Sequence, residues 1–252
     1  MLSKTNNDIK FIKQAIGLAK ERVGLTGNNP SVGCIIVKKN RLISTGQTGI
    51  GGTPHAEVNA INNSKESLKG STLYVSLEPC SHYGKTPPCT KKIIKSKIKK
   101  VVYCINDIDE RSEGKSLKIF RKNNILCKNN ILKRNALNLY KSYFHIKKSN
   151  FPYVTAKIAC TKNFLIKDKN KYISNKYSLD FSHLLRYKNH GILISYKTAN
   201  ADNPKLDCRL SGLNKFSPHK IIIDKDLKIK KNLNLMKSLN KSKTFIFYNK
   251  KI

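Results

Sequence analysis

Tryptophan is absent from the 252 residues, methionine occurs twice, and acidic side chains are scarce, with 15 Asp and Glu against 50 Lys and Arg. No run of eighteen or more apolar residues occurs, which excludes an ordinary transmembrane helix. The first residues lead straight into Asn6-Asn7-Asp8 without the apolar core of a secretory signal. The chain is expected to be soluble and cytoplasmic, with no membrane partner. Seven cysteines, an odd number, fit a reducing compartment better than a disulfide framework. Cys34, Cys104, Cys127, Cys160 and Cys208 fall in apolar runs and read as small buried hydrophobes.

The formal charge of +35 would ordinarily announce nucleic acid. Here the lysines are spread over every segment and accompany an excess of Asn and Ile, residues that share A/T-rich codons. Coding drift enriches all three together, whereas a selected basic face would not enrich asparagine. Nucleic acid is therefore not the expected partner.

What is present is concentrated between His55 and Cys89. His55-Ala56-Glu57 is answered downstream by Pro79-Cys80 and Pro87-Pro88-Cys89. One imidazole and two thiolates fill three corners of a zinc tetrahedron at roughly 2.0–2.3 Å, leaving a fourth corner open as catalytic sites do. Glu57, two residues past the histidine, is placed to move protons rather than to ligate. H-x-E followed by paired cysteines is the pattern of zinc deaminases acting on nucleobases, although here the second cysteine comes late.

Helical spacing of Phe11, Ile12, Ala15, Ile16 and Ala19 predicts a helix over 8–22, capped by Asn7 or Asp8. The apolar run 32–37 reads as a strand buried on both faces, turned at Lys39-Asn40 into a partner at 42–45. A glycine-rich loop, 46–54, delivers His55 to a helix start. A strand at 72–77 ends just before Cys80, and Cys89 opens a helix reaching about 97. Helix starts at His55 and Cys89 aim backbone N–H groups at the metal site, favouring thiolate. A strand at 101–105, a helix at 116–122, a short strand at 125–127 and a helix at 132–144 complete an α/β layered domain over residues 1–148.

Asn29-Pro30-Ser31-Val32-Gly33-Cys34, Pro54-His55-Ala56-Glu57-Val58 and the unbroken stretch from Leu77 through Cys80-Ser81-His82-Tyr83-Gly84-Lys85 to Cys89 carry a specific resemblance. The chain resembles the bifunctional riboflavin-biosynthesis family, a pyrimidine deaminase fused to a reductase. The resemblance implies an α/β fold: a cytidine-deaminase-like α/β/α layered domain followed by a partial dihydrofolate-reductase-like domain. It implies Zn2+ on His55, Cys80 and Cys89, with Glu57 as the catalytic acid/base. The implied substrate is 2,5-diamino-6-(5-phosphoribosylamino)pyrimidin-4(3H)-one, with Asn29 hydrogen-bonding its pyrimidine, His82 contacting it and Lys85 meeting its phosphate.

Residues 149–252 match more weakly. A strand is expected over 151–159, with others at 191–195, 220–224 and 244–248. By resemblance Lys157, Cys160, Tyr172, Ser174, Thr198, Asp202, Leu206 and Arg209 fall where the family binds NADPH or the ribosyl precursor. The Asp-Gly expected after the first strand is Asn163-Phe164, the family's tryptophan is Tyr172, and no arginine stands near Asp180. About a hundred residues leave the reductase sheet half built, so deamination with impaired reduction is the expectation. A fully bifunctional enzyme, a tRNA-type base deaminase and a non-catalytic zinc scaffold are the alternatives, and a homo-oligomer is compatible with all of them.

Overall fold

The computed structural model describes residues 2–166, 173–237 and 242–249. The chain divides into two compact units, Met1–Val154 and Thr155–Ile252.

The first unit runs α1 (Leu2–Glu21), β1 (Gly33–Lys38), β2 (Arg41–Gln47), α2 (Ala56–Asn62), β3 (Thr72–Val75), α3 (Cys89–Lys95), β4 (Lys100–Tyr103), α4 (Lys115–Lys122), β5 (Leu126–Lys128) and α5 (Lys133–Lys148). Its strands lie in the order β2-β1-β3-β4-β5. β1 is antiparallel to both neighbours, while β3, β4 and β5 are parallel. The β1–β2 hairpin closes in two residues because Lys39 and Asn40 both adopt positive φ, 49° and 59°, the geometry that matches strand twist. β1 is buried on both faces, as its unbroken apolar run requires.

Helix α2 lies close enough on β2 that a Cβ at Gly46 would stand 2.2 Å from the Ala56 carbonyl oxygen and 2.3 Å from the Ala60 nitrogen. Only glycine admits this approach, and it sets the helix start at His55. Phe11, Ile12, Ala15 and Ile16 of α1 join Ile35, Ile36, Leu73, Val101, Phe120 and Tyr140 in one continuous core.

Two expectations change here. α1 begins at Leu2, so Asp8 sits inside the helix and caps nothing. Its carboxylate, 3% exposed, accepts instead from the Tyr74 hydroxyl at 2.9 Å, Lys100 at 2.8 Å and Lys128 at 3.2 Å. Three adjacent strands thus converge on one helical carboxylate. Burial pushes the Asp8 pKa up, but the bonds from Lys100, Tyr74 and Lys128 outweigh it and hold it below its ordinary value.

The second unit holds α6 (Lys176–Lys188), β6 (Gly191–Ser195), α7 (Tyr196–Asp202), β7 (His219–Ile223), α8 (Asn234–Lys237) and β8 (Thr244–Phe247), with β6-β7-β8 forming a parallel sheet. Ala199, Ile222, Leu233 and Leu235 bury one face of that sheet. The other face carries Leu193, 60% exposed, and Phe247, 59% exposed, beside Ile223 and Phe245. The strand expected over 151–159 does not form: Phe151, Val154 and Ile158 are exposed, and among the described residues no ladder pairs with that segment. An apolar, β-branched run becomes a strand only where a neighbour supplies hydrogen bonds. Cys160 is consequently exposed rather than buried, and Cys127 half-buried, while Cys34, Cys104 and Cys208 are buried as expected.

Candidate active site

His55 stands just before α2 without capping it by its side chain, Cys80 follows β3, and Cys89 is the first residue of α3. The His55 Nδ1 lies 3.4 Å from Cys80 Sγ and 3.3 Å from Cys89 Sγ, and the three donor atoms lie within 4.8 Å of one another. A tetrahedral ion at ordinary Zn–N and Zn–S lengths needs donors about 3.5 Å apart, so the set fits zinc. The Cys89 N–H donates to Cys80 Sγ at 3.3 Å and the Thr90 N–H to the Cys80 carbonyl at 3.2 Å, fastening the two cysteines together.

The hydrogen bond with Cys89 and that with His55 pull Cys80 down to about 4, whereas the same bond and burial push Cys89 up. His55 is raised to about 9, first by its bond with Cys80. Glu57, 4% exposed in the first turn of α2, is raised to about 7 by burial and then by the charge of Cys80.

His55, Glu57 and Cys80 open onto a cavity of about 400 Å³, within the range of small-molecule sites, while Cys89 stays fully buried behind them. Asn29, His55, Glu57, Cys80, His82 and Lys85 line it. The Asn29 amide donates to the Gly52 carbonyl at 3.0 Å, and Gly52 has φ +96° with no room for a Cβ, which would meet the Asn29 side chain at 2.7 Å. His82 is fixed through its Nδ1, 2.8 Å from the Ser112 hydroxyl. The structure therefore brings together all seven residues expected in the first unit.

It also brings Asp107, Asp109, Arg111, Tyr143 and Lys147 to the same cavity, none of which the sequence reading singled out. They come from the loop after β4 and from α5, distant in sequence from the cysteines. The one local signal was the Asp-x-Asp-x-Arg spacing directly after an apolar strand. Buried Glu78 holds this loop: its carboxylate accepts from the N–H groups of Asp107 at 3.1 Å, Gly114 at 3.0 Å and Ser116 at 3.1 Å, and from the Ser116 hydroxyl at 2.7 Å.

The residues expected in the second unit do not converge in this way. Lys157 and Cys160 are exposed on the unpaired segment, Ser174 is half-buried ahead of α6, and Thr198, Asp202 and Arg209 are exposed. Leu206 is buried at positive φ, 56°. Tyr172 lies outside the described residues.

Fold and donor set together place the chain in the class of proteins with a cytidine-deaminase-like α/β domain bearing a His-Cys-Cys donor set, here followed by a second α/β unit. Residues 5–105 match the cytidine and deoxycytidylate deaminase zinc-binding region, and residues 152–252 match the RibD C-terminal domain. The chain belongs to the RibD family of riboflavin biosynthesis. It is 36% identical over 225 residues to riboflavin biosynthesis protein RibD of Aquifex aeolicus, covering 88% of this chain and 63% of that one. It is 40% identical over 146 residues to the diaminohydroxyphosphoribosylamino-pyrimidine deaminase of Buchnera aphidicola, covering 58% of this chain and 99% of that one. The solved deaminase/reductase of Thermotoga maritima superposes with a TM-score of 0.88 at 32% identity, over 97% of this chain and 70% of that one. The chain thus spans a little under two thirds of the length of the Aquifex relative. Among the described residues, no helix is long and apolar enough to cross a membrane.

Proposed function

We propose that the first unit, a deaminase domain, hydrolytically removes the 2-amino group of 2,5-diamino-6-(5-phosphoribosylamino)pyrimidin-4(3H)-one, giving 5-amino-6-(5-phosphoribosylamino)uracil and ammonia. One observation carries this reading: His55, Cys80 and Cys89 stand as a three-donor set beside a buried carboxylate on a cavity whose lining includes Lys85. Zinc, when bound by those three residues, supplies the Lewis acidity that brings the pKa of a water at its open position to about 7. Glu57 takes the proton of the attacking water and returns it first to the ring nitrogen and then to the departing amine. Asn29, oriented by one amide N–H to the Gly52 carbonyl, hydrogen-bonds the pyrimidine with the rest of its amide. His82, fixed by Ser112, contacts the substrate, and Lys85 meets the phosphate as a point charge.

For the second unit, a reductase-like domain, NADPH is the cofactor its family implies, but the described residues do not fit it. Thr198, Asp202 and Arg209 are exposed, and the segment with Lys157 and Cys160 pairs with no strand among the described residues. Hydride transfer needs reacting atoms held within about 3–3.5 Å, a geometry that several strand ends must set together. We read this half as impaired and derive no reductive step through it.

The test is incubation of the purified protein with the diaminopyrimidine phosphoriboside, with and without NADPH, followed by product separation. The expected result is accumulation of the deaminated pyrimidine with no fall in reduced-nicotinamide absorbance. Absence of deamination overturns the deaminase reading, and steady NADPH oxidation coupled to deamination overturns the reading of the second unit.

A further inference from the structure

Lys85 is not the only cation on the cavity: Arg111 and Lys147 line it as well. Arg111 is held in one orientation. Its Nε donates to Asp109 Oδ1 at 2.8 Å and its Nη2 to Asp109 Oδ2 at 2.6 Å, a bidentate grip that fixes the guanidinium plane. Asp109 is anchored in turn, its N–H donating to Asp107 Oδ1 at 3.2 Å and its carboxylate taking Lys147 of α5 at 3.4 Å. The carboxylate of Asp107 is engaged as well, by the Tyr143 hydroxyl at 3.1 Å.

This loop is also tied to the one that carries Lys85, because the Ser112 hydroxyl accepts the Ser81 N–H at 3.2 Å and meets His82 Nδ1 at 2.8 Å. The position of Arg111 is thereby set relative to the substrate loop. Its side chain is 59% exposed, and its Nη1 makes no hydrogen bond among the described residues. The Asp109 carboxylate is only 11% exposed and also accepts the Arg111 backbone N–H at 3.1 Å, so it holds the loop, while Arg111 and Lys147, the latter 36% exposed, keep their charged ends on the cavity wall.

Charge arithmetic points to an anion: Asp109 and Asp107 offset two of the three cations Lys85, Arg111 and Lys147 on this wall, leaving about +1 to face the roughly −1.5 to −2 of a phosphate monoester at neutral pH. A planar fork with free N–H groups also suits phosphate oxygens better than a lone ammonium does. We infer that Arg111, oriented by Asp109 and backed by Lys147, is a second phosphate-gripping residue of the cavity, acting beside Lys85. Asp109 is a positioning residue: it sets the guanidinium plane and does not itself touch the phosphate. This assignment rests on the phosphoribosyl-pyrimidine reading of the site.

Steady-state kinetics of Arg111→Ala tests it, using the phosphorylated substrate and its dephosphorylated riboside, with zinc content checked in every variant. Loss of a charge-assisted hydrogen bond at an exposed site should raise KM for the phosphorylated substrate about tenfold, with kcat within about twofold and the riboside unaffected. Arg111→Lys should recover part of the loss. Asp109→Asn should also raise KM although it adds positive charge, because the fork is released. An unchanged KM in Arg111→Ala, or an equal loss on both substrates, overturns the assignment, and a fall in KM for Asp109→Asn overturns the positioning role. Calorimetric binding of ribose 5-phosphate reads the grip without turnover and should weaken about tenfold in Arg111→Ala. If the wild type binds ribose 5-phosphate with that dependence yet does not deaminate, the deaminase reading falls and the grip stands. If it deaminates and Arg111→Ala loses nothing in either assay, the grip falls.

Discussion

The first unit covers both faces of its central strands with helices, and the second, among the described residues, leaves one sheet face bare. In the first, strands β1, β3 and β4 are buried nearly throughout and share one core with α1 to α5. In the second, Ala199, Ile222, Leu233 and Leu235 form a small cluster, while Leu193, Ile223, Phe245 and Phe247 face outward. The same α/β grammar therefore gives two different degrees of enclosure. Where enclosure is complete, a carboxylate such as Glu57 is held desolvated beside fixed donors. Where it is partial, Lys157, Thr198, Asp202 and Arg209, expected by family resemblance to meet cofactor or substrate, are exposed. Preorganisation of a site depends on the packing beneath it more than on the survival of individual functional residues.

The strongest way to break this contrast is to attack the enclosed site. Glu57→Gln should keep zinc and lower kcat by about 10²–10⁴-fold, the range of general acid–base contributions. Cys89→Ser should lose most of its zinc by elemental analysis, and full zinc in that variant would overturn the ligand assignment.

The next largest effect belongs to Asp8. Its carboxylate is buried while Lys100 and Lys128 are partly exposed, so Asp8→Asn should destabilise the first unit by about 1.5–3 kcal/mol in urea unfolding, the range for hydrogen bonds to a charged group. Because the folded pKa is depressed, the stabilisation is present above the unfolded value and is lost as pH falls through the folded one. The wild type should therefore lose its advantage over Asp8→Asn in acid, and a constant gap down to the lowest pH would count against the assignment.

Smaller effects sharpen the contrast within the second unit. Ile222→Val removes one methyl group from a buried cluster and should cost about 0.5–1.5 kcal/mol. Phe247→Ser, on the bare face of the same sheet, should stay within about 0.5 kcal/mol. Similar losses from both would show that the bare face is covered in solution.

Much of the first unit was legible because its signals were local. Helical spacing in α1, the two-sided apolar run of β1 and the turn at Lys39-Asn40 each follow from a few neighbouring residues. The metal set was legible for the same reason: His-x-Glu and the cysteine loop are contiguous motifs with a chemical rationale for their spacing. Asp8 was misread because Asp near a helix start ordinarily caps, and only the folded sheet reveals Lys100 and Lys128 as its partners. Arg111 and Lys147 were missed because their meeting depends on α5 returning across the loop after β4, a tertiary event without sequence periodicity. The segment 151–159 failed for the opposite reason, since its strand-like composition was plain but the hydrogen-bonding neighbour a strand needs was not.

Fastening Cys80 to the start of α3 has an evolutionary consequence. The hydrogen bonds from Cys89 and Thr90 close residues 81–88 into a loop whose ends are fixed whatever lies between them. Closure entropy grows slowly with length, about 0.6 kcal/mol for each doubling. Insertions, deletions or wholesale replacement of the intervening residues can therefore alter which molecule is recognised while the donor atoms stay where they are. Selectivity and metal affinity are separable traits in this architecture, free to change at different rates along a lineage.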